Sequence, residues 1–268
     1  MKEFKDQMYQ TIRLSEMPRR IVSLVPSQTE LLYDLGLKEE VVGITKFCIY
    51  PDEWYRSKKR VGGTKDVSLD KLISLQPDLI IGNKEENEQS NILEIQQHFP
   101  IWMSDIFNLE DAYEMINHIG ELIDKNENAL NLVSKIRNEF TELEVFVNNT
   151  KANKKLKVAY FIWNKPYYIV GQNTFVNSML EMCGFENFTH LERYPTFEFE
   201  ENNLPDLIFL SSEPYPFKQK HIDLLQKKYP STKVFLVDGE MFSWYGSRLQ
   251  YAPKYFIELL KTIYDFDK

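Results

Sequence analysis

The residues able to do covalent chemistry in this sequence are few and far apart. Ser27 follows Pro26 where an apolar run, Ile21 to Val25, gives way to a helix-period segment. A serine at such a turn needs a histidine as its base, and no motif supplies one, so Ser27 reads as a helix cap with Glu30 at capping-box spacing. Cys48 and Cys183 form no zinc or redox spacing, and Cys183 reads as a small core residue. His98, His118, His190 and His221 form no His-x-x-x-His pair and no cluster with carboxylates, which leaves no metal site. There is no Gly-x-Gly-x-x-Gly, phosphate-binding loop or Gly-x-Ser-x-Gly elbow; Gly62-Gly63-Thr64-Lys65 has phosphate-loop residues in the wrong order. An enzyme would have to work with a titratable pair of opposed roles, Glu85 with Glu213 or Cys48 with a nearby base.

Binding chemistry is better represented, and the elements that must position it alternate. Short apolar strands and helix-period segments at both ends of the chain argue an α/β fold with mainly parallel strands. In the first half, Ile21 to Val25, Val41 to Thr45, Asp78 to Gly82 and Ile101 to Met103 read as strands. Gly36 closes the first helix, and Ser68 to Leu75 is a short one. In the second half, Leu156 to Trp163 is a strand and Thr174 to Cys183 a helix closed by Gly184. Pro77-Asp78-Leu79-Ile80 recurs as Pro205-Asp206-Leu207-Ile208, with an acid, Asp70 or Glu198, seven residues before each proline. That recurrence predicts two homologous lobes.

Between them, Asn126 to Asn149 contains no Gly or Pro. Its apolar residues Leu130, Val133, Ile136, Phe140, Leu143 and Val147 step by threes and fours, which predicts one amphipathic helix of roughly 36 Å. The predicted organisation is a lobe over 1–125, a connecting helix over 126–150 and a second lobe over 151–268, with Lys151 to Lys157 as its polar lead-in.

In open α/β sheets, ligands bind beyond the carboxyl ends of the strands, and two facing lobes would form a cleft from two such edges. Position alone nominates Ser27, Phe47, Cys48, Thr64, Lys65 and Glu85 in the first lobe, and Trp163, Glu213, Tyr215, Trp244 and Arg248 in the second. The aromatics suit a large, flat, amphipathic ligand, and Arg248 suits a ligand carboxylate or phosphate. Taken singly, Phe47 and Trp163 read equally well as packing residues, and Glu85 as part of a solvated loop.

Composition bounds the rest. The chain has 268 residues, a net charge of -8 and 14% aromatic residues. So many aromatics rule out disorder, the acidic balance argues against nucleic acid, and no apolar run approaches a membrane span. A monomer is expected. The opening residues lack the apolar stretch of a secretory signal, so the sequence as written reads as cytoplasmic, or as periplasmic or cell-surface if its start is incomplete.

Several segments then carry a resemblance, in order along nearly the whole chain. Asp6 to Ile12, Pro18 to Glu30, Val61-Gly62-Gly63-Thr64, Leu75 to Ile80, the long central helix and the stretch ending in Gly246-Ser247-Arg248 resemble the substrate-binding proteins of ABC importers. The similarity is to the helical-backbone class that carries cobalamin, haem and ferric siderophores. The resemblance implies two Rossmann-like lobes joined by one helix, with little hinge motion. It also implies a metal chelate held between the lobes, no intrinsic cofactor and no catalysis. In the cobalamin-binding members an acid on each lobe docks onto permease arginines. Asp70 and Glu198 match those positions, with Glu200 close by, and both are expected on short helices. Thr64 stands where the cobalamin binder has a stacking tryptophan, a departure that weighs against cobalamin itself. The competing expectation is a cytoplasmic tetrapyrrole factor or enzyme on the same fold.

Overall fold

The computed structural model describes residues 2–150, 155–200 and 202–264, so 151–154 of the predicted lead-in lie outside the described residues. The chain divides into two compact units. The first comprises Met1–Ile106, Glu110–Lys135 and Tyr245–Arg248, the second Phe107–Leu109, Ile136–Trp244 and Leu249–Lys268.

The first unit opens with the antiparallel hairpin β1 (Lys2–Lys5) and β2 (Thr11–Leu14). It continues with β3 (Ile21–Ser23), α1 (Pro26–Asp34), β4 (Val41–Ile44), α2 (Asp52–Ser57) and β5 (Lys59–Arg60). Next come α3 (Leu69–Leu75), β6 (Leu79–Asn83), α4 (Gln89–Ile95), β7 (Ile101–Ser104) and α5 (Leu109–Leu122). Among the described residues these strands form a parallel sheet in the order β5-β4-β3-β6-β7. All residues of β3, β6 and β7 are buried, as expected of parallel strands covered on both faces.

Then α6 (Asn126–Asn149) runs unbroken from the first unit into the second. Its buried stripe is Ala129, Val133, Ile136, Phe140 and Leu143, whereas Leu130, expected on it, is 60% exposed. The shift has a cause in α5. A Cβ on Gly120 would lie 2.4 Å from that of Ala129, so the two helices meet at their smallest residues and Leu130 is turned outward.

The second unit holds β8 (Lys157–Trp163), β9 (Tyr168–Ile169), α7 (Phe175–Met182) and β10 (Glu186–Asn187). β11 (Leu207–Ser211), α8 (Gln219–Lys228), β12 (Lys233–Val237), α9 (Gly239–Ser243) and α10 (Ala252–Tyr264) complete it. The parallel order is β10-β8-β11-β12, with β9 antiparallel on β8. This repeats the order β4-β3-β6-β7 of the first unit.

The recurring Pro-Asp-Leu-Ile segment has the same task in both units. The Asp78 carboxylate accepts from the Arg19 and Arg20 backbone N–H groups at 2.7 and 2.9 Å, just before β3. The Asp206 carboxylate accepts from the Lys157 N–H at 2.8 Å, at the start of β8. In each case an aspartate before one central strand fixes the beginning of its neighbour. Gly36 and Gly184, at φ +95 and +78, close α1 and α7 as expected.

Two local expectations fail. Pro26 begins α1, with Val25 at the N-cap and no side-chain cap, so β3 stops at Ser23 and Ser27 lies buried inside the helix. Proline's fixed φ and missing N–H suit the first helical position. Glu198 is not helical. Phe197 and Phe199 turn into an aromatic cluster, with Phe199 stacked on Tyr229 at 4.2 Å, and that alternation draws the segment out and leaves Glu198 exposed. Asp70 does sit in the first turn of α3, exposed, after an N-cap at Ser68. Among the described residues no helix is long and apolar enough to cross a membrane.

Candidate functional site

In each unit the strand order reverses between two central strands, β3 and β6 in the first, β8 and β11 in the second. Ligands in such sheets bind beyond the carboxyl ends at that reversal. The residues just past those four strands are therefore the candidate binding edges.

On the first edge the loop after β6 is fixed by two asparagines. The Asn83 carboxamide oxygen accepts from the Glu85 and Glu86 N–H groups at 2.8 and 3.1 Å. The Asn87 oxygen accepts from the Asn83 N–H at 2.9 Å, while its Nδ2 donates to the carbonyls of Thr64 at 3.0 Å and Leu24 at 3.3 Å. One buried side chain thus ties the ends of β3 and β6 to the Gly-Gly-Thr-Lys loop. Lys65 reaches the same loop through its ammonium on the Glu85 carbonyl. Thr64, Lys65 and Glu85 are brought together. The framework that does so, Asn83 and Asn87, was missed as such, although its i,i+4 spacing at a strand end is visible in the sequence.

Burial pushes the Glu86 carboxyl above the usual carboxylate range, with Lys65 opposing the shift. A carboxyl raised by folding adds stability below its unfolded value, and that stability is lost as pH rises through the folded value. At neutral pH the charged form is therefore a liability. Glu86→Gln is expected to raise Tm by about 2–4 °C at pH 7, with the gain shrinking as pH falls toward 4. A thermal melt series across that range checks it; a gain independent of pH contradicts it.

The other first-unit candidates separate. Phe47 is 52% exposed, with the Lys46 ammonium 5.1 Å from its ring centroid. Cys48 is fully buried, its thiol 3.1 Å from both the Thr29 and the Thr45 hydroxyls, and burial raises its pKa. That thiol is a core group, and among the described residues no base touches it. Arg248, expected to meet a ligand anion, is committed elsewhere. Its Nε and Nη2 donate to the two Glu30 carboxylate oxygens at 2.8 and 2.6 Å, and the guanidinium lies 4.4 Å from the Tyr50 ring centroid. Glu30 on α1 faces it because Pro26 sets the phase of that helix.

On the second edge Trp163 is 43% exposed and meets Tyr215 edge to face at 5.7 Å. Asn164 donates to the Tyr215 hydroxyl at 3.1 Å. Glu213 is half-buried, and one carboxylate oxygen accepts from the Ser243 hydroxyl at 2.7 Å and the Trp244 indole N–H at 3.1 Å. Trp244 is thereby anchored and nearly buried, so Trp163 and Tyr215 are the aromatic faces this edge leaves accessible. Among the described residues no group of three or more His, Cys, Asp or Glu side chains is placed to hold a metal ion.

The second edge by itself sets the Trp163 and Tyr215 rings beside the Asn164 carboxamide, a pairing that serves recognition. The family model described as Periplasmic binding protein matches residues 21–227. The chain belongs to the periplasmic binding protein family. As a periplasmic binding protein it is a solute binder and not an enzyme. It is similar to an uncharacterized ABC transporter substrate-binding lipoprotein of Bacillus subtilis (strain 168), 28% identical over 187 residues, which is 68% of this chain and 59% of that relative. It is similar also to the vitamin B12-binding protein of Vibrio parahaemolyticus, 27% identical over 202 residues, covering 74% of this chain and 72% of the relative. Among solved structures, the apo form of a periplasmic heme-binding protein from Roseiflexus sp. RS-1 shares the fold of this binding protein. The TM-score is 0.77 at 19% identity, over 92% of this chain and 98% of that one.

Proposed function

We propose that this periplasmic binding protein takes up a metal chelate, a corrinoid, haem or ferric siderophore, and presents it to an ABC importer outside the cytoplasmic membrane. The observation that carries the reading is the family match over 21–227, a stretch containing the residues past all four central strands, from Ser27 to Tyr215. A relative named for vitamin B12, a fold neighbour named for heme and a lipoprotein of an ABC transporter support the ligand class and the exported location over the cytoplasmic alternative. On the second unit's edge Trp163 and Tyr215 are the proposed flat apolar contacts, and on the first unit's edge Thr64, Lys65, Glu85 and Ser27 are the proposed polar ones. The exposed acids Asp70 and Glu198 are the proposed contacts to the permease.

Titration with cyanocobalamin, haemin and ferrichrome, followed by tryptophan fluorescence, tests the reading. One of the three is expected to quench saturably, and Trp163→Ala to weaken that binding about tenfold, the loss of one good aromatic contact. No saturable response to any of them removes the proposed ligand class.

A further inference from the structure

Tyr215 is held in a way that decides what its hydroxyl can do. The oxygen is approached from two sides by nitrogen, Asn164 Nδ2 at 3.1 Å and His221 Nε2 at 3.4 Å. The direction of the second contact follows from the far side of the imidazole. His221 Nδ1 lies 2.8 Å from the Lys218 backbone nitrogen, at the N-cap of α8. A backbone N–H only donates, so Nδ1 is bare and the ring hydrogen of the neutral imidazole sits on Nε2, directed at Tyr215. Both lone pairs of the phenol oxygen are then engaged by donors. Its own hydrogen is left over, and among the described residues no acceptor takes it. Trp163 and Phe217 pack against the ring at 5.7 and 4.8 Å and hold its plane.

We propose that Tyr215 donates its hydroxyl hydrogen to a peripheral acceptor oxygen of the bound chelate, a carboxylate or amide carbonyl, and does not coordinate the metal. Asn164 and His221 are its positioning residues. This rests on the binding function proposed above and specifies the chemistry of that edge. A phenol whose lone pairs are both occupied is a poor metal ligand and a directed donor. It therefore selects chelates by their rim and not by their metal.

Two measurements test it. In the ligand-free protein, long-range proton–nitrogen correlation should show His221 as the Nε2–H form; an Nδ1–H form overturns the donor assignment whatever the ligand. In the second, cyanocobalamin, haemin and ferrichrome are each titrated into the wild type, Tyr215→Phe, Asn164→Asp and Asn164→Ala. Tyr215→Phe should weaken the bound probe about tenfold with its metal absorption bands unchanged. Asn164→Asp, whose carboxylate would capture the phenol hydrogen, should weaken it as much, and more than Asn164→Ala does. A residue that only filled space would give the opposite order. Unchanged affinity in Tyr215→Phe, or shifted metal bands, overturns the proposal while binding by the wild type leaves the parent function standing. Failure of the wild type to bind any of the three overturns both.

Discussion

Arg248→Ala is expected to cost about 2–3 kcal/mol of folding stability, the range for a charge-assisted pair whose surviving carboxylate is left largely desolvated. The pair is two-pronged, and its side chains are 13% and 17% exposed, so solvent screens it little. Urea unfolding of Arg248→Ala, Glu30→Ala and the double variant checks the claim. The double variant should lose about 1–2 kcal/mol less than the sum of the singles. Strict additivity would show that the two side chains do not act together. Arg248→Lys keeps the charge but not the fork and should recover only part of the loss. Chelate affinity should fall less in Arg248→Ala than in Trp163→Ala, because the guanidinium is occupied by Glu30 and Tyr50.

The second large effect concerns the proposed meeting with a permease. Asp70 is an exposed acid in the first turn of α3, and Glu198 projects from an extended segment whose neighbours Phe197 and Phe199 are turned inward. Single exposed acids do little for stability, but rim charges set encounter and orientation between proteins. Asp70→Arg combined with Glu198→Arg is expected to reduce ligand-stimulated ATP hydrolysis by a cognate reconstituted importer at least tenfold, with chelate affinity within twofold of wild type. Stimulation that survives the double reversal excludes these two residues as the dock. If Glu200→Arg alone abolishes it, the contact lies two residues further along the same segment.

The parts of the fold legible in the sequence were those governed by local rules. The bounds of α6 are those expected because twenty-four residues without Gly or Pro keep one periodicity. Gly36 and Gly184 announced the ends of α1 and α7 because positive φ is cheap for glycine. The repeated Pro-Asp-Leu-Ile was visible as a motif, and its role as a carboxylate clamp on the neighbouring strand is the physical content of the repeat. What escaped depends on distant partners. Arg248 looked free because Glu30 lies 218 positions away. Glu198 was expected on a helix because the aromatic cluster that stretches its segment is assembled from Phe161 on β8, Tyr167, Phe188, Tyr229 just past α8 and the segment itself. Cys48 was nominated for the site by its place after β4, and only the packing of Thr29 and Thr45 around it shows that it belongs to the core.

Residues 245–248 belong to the first unit although the chain on both sides of them belongs to the second. Gly246 passes so close to α1 that a Cβ would lie 2.6 Å from the Ser27 carbonyl oxygen, and Arg248 then engages Glu30. Synthesis runs from the amino end, so the first unit stays unfinished until nearly all of the second has been made. A nascent chain halted within α6 would expose Glu30 without its counter-ion and α1 without its cover. Contacts of such long sequence separation form late and slowly. This architecture therefore delays completion of the earliest-made half until almost the whole polypeptide is available.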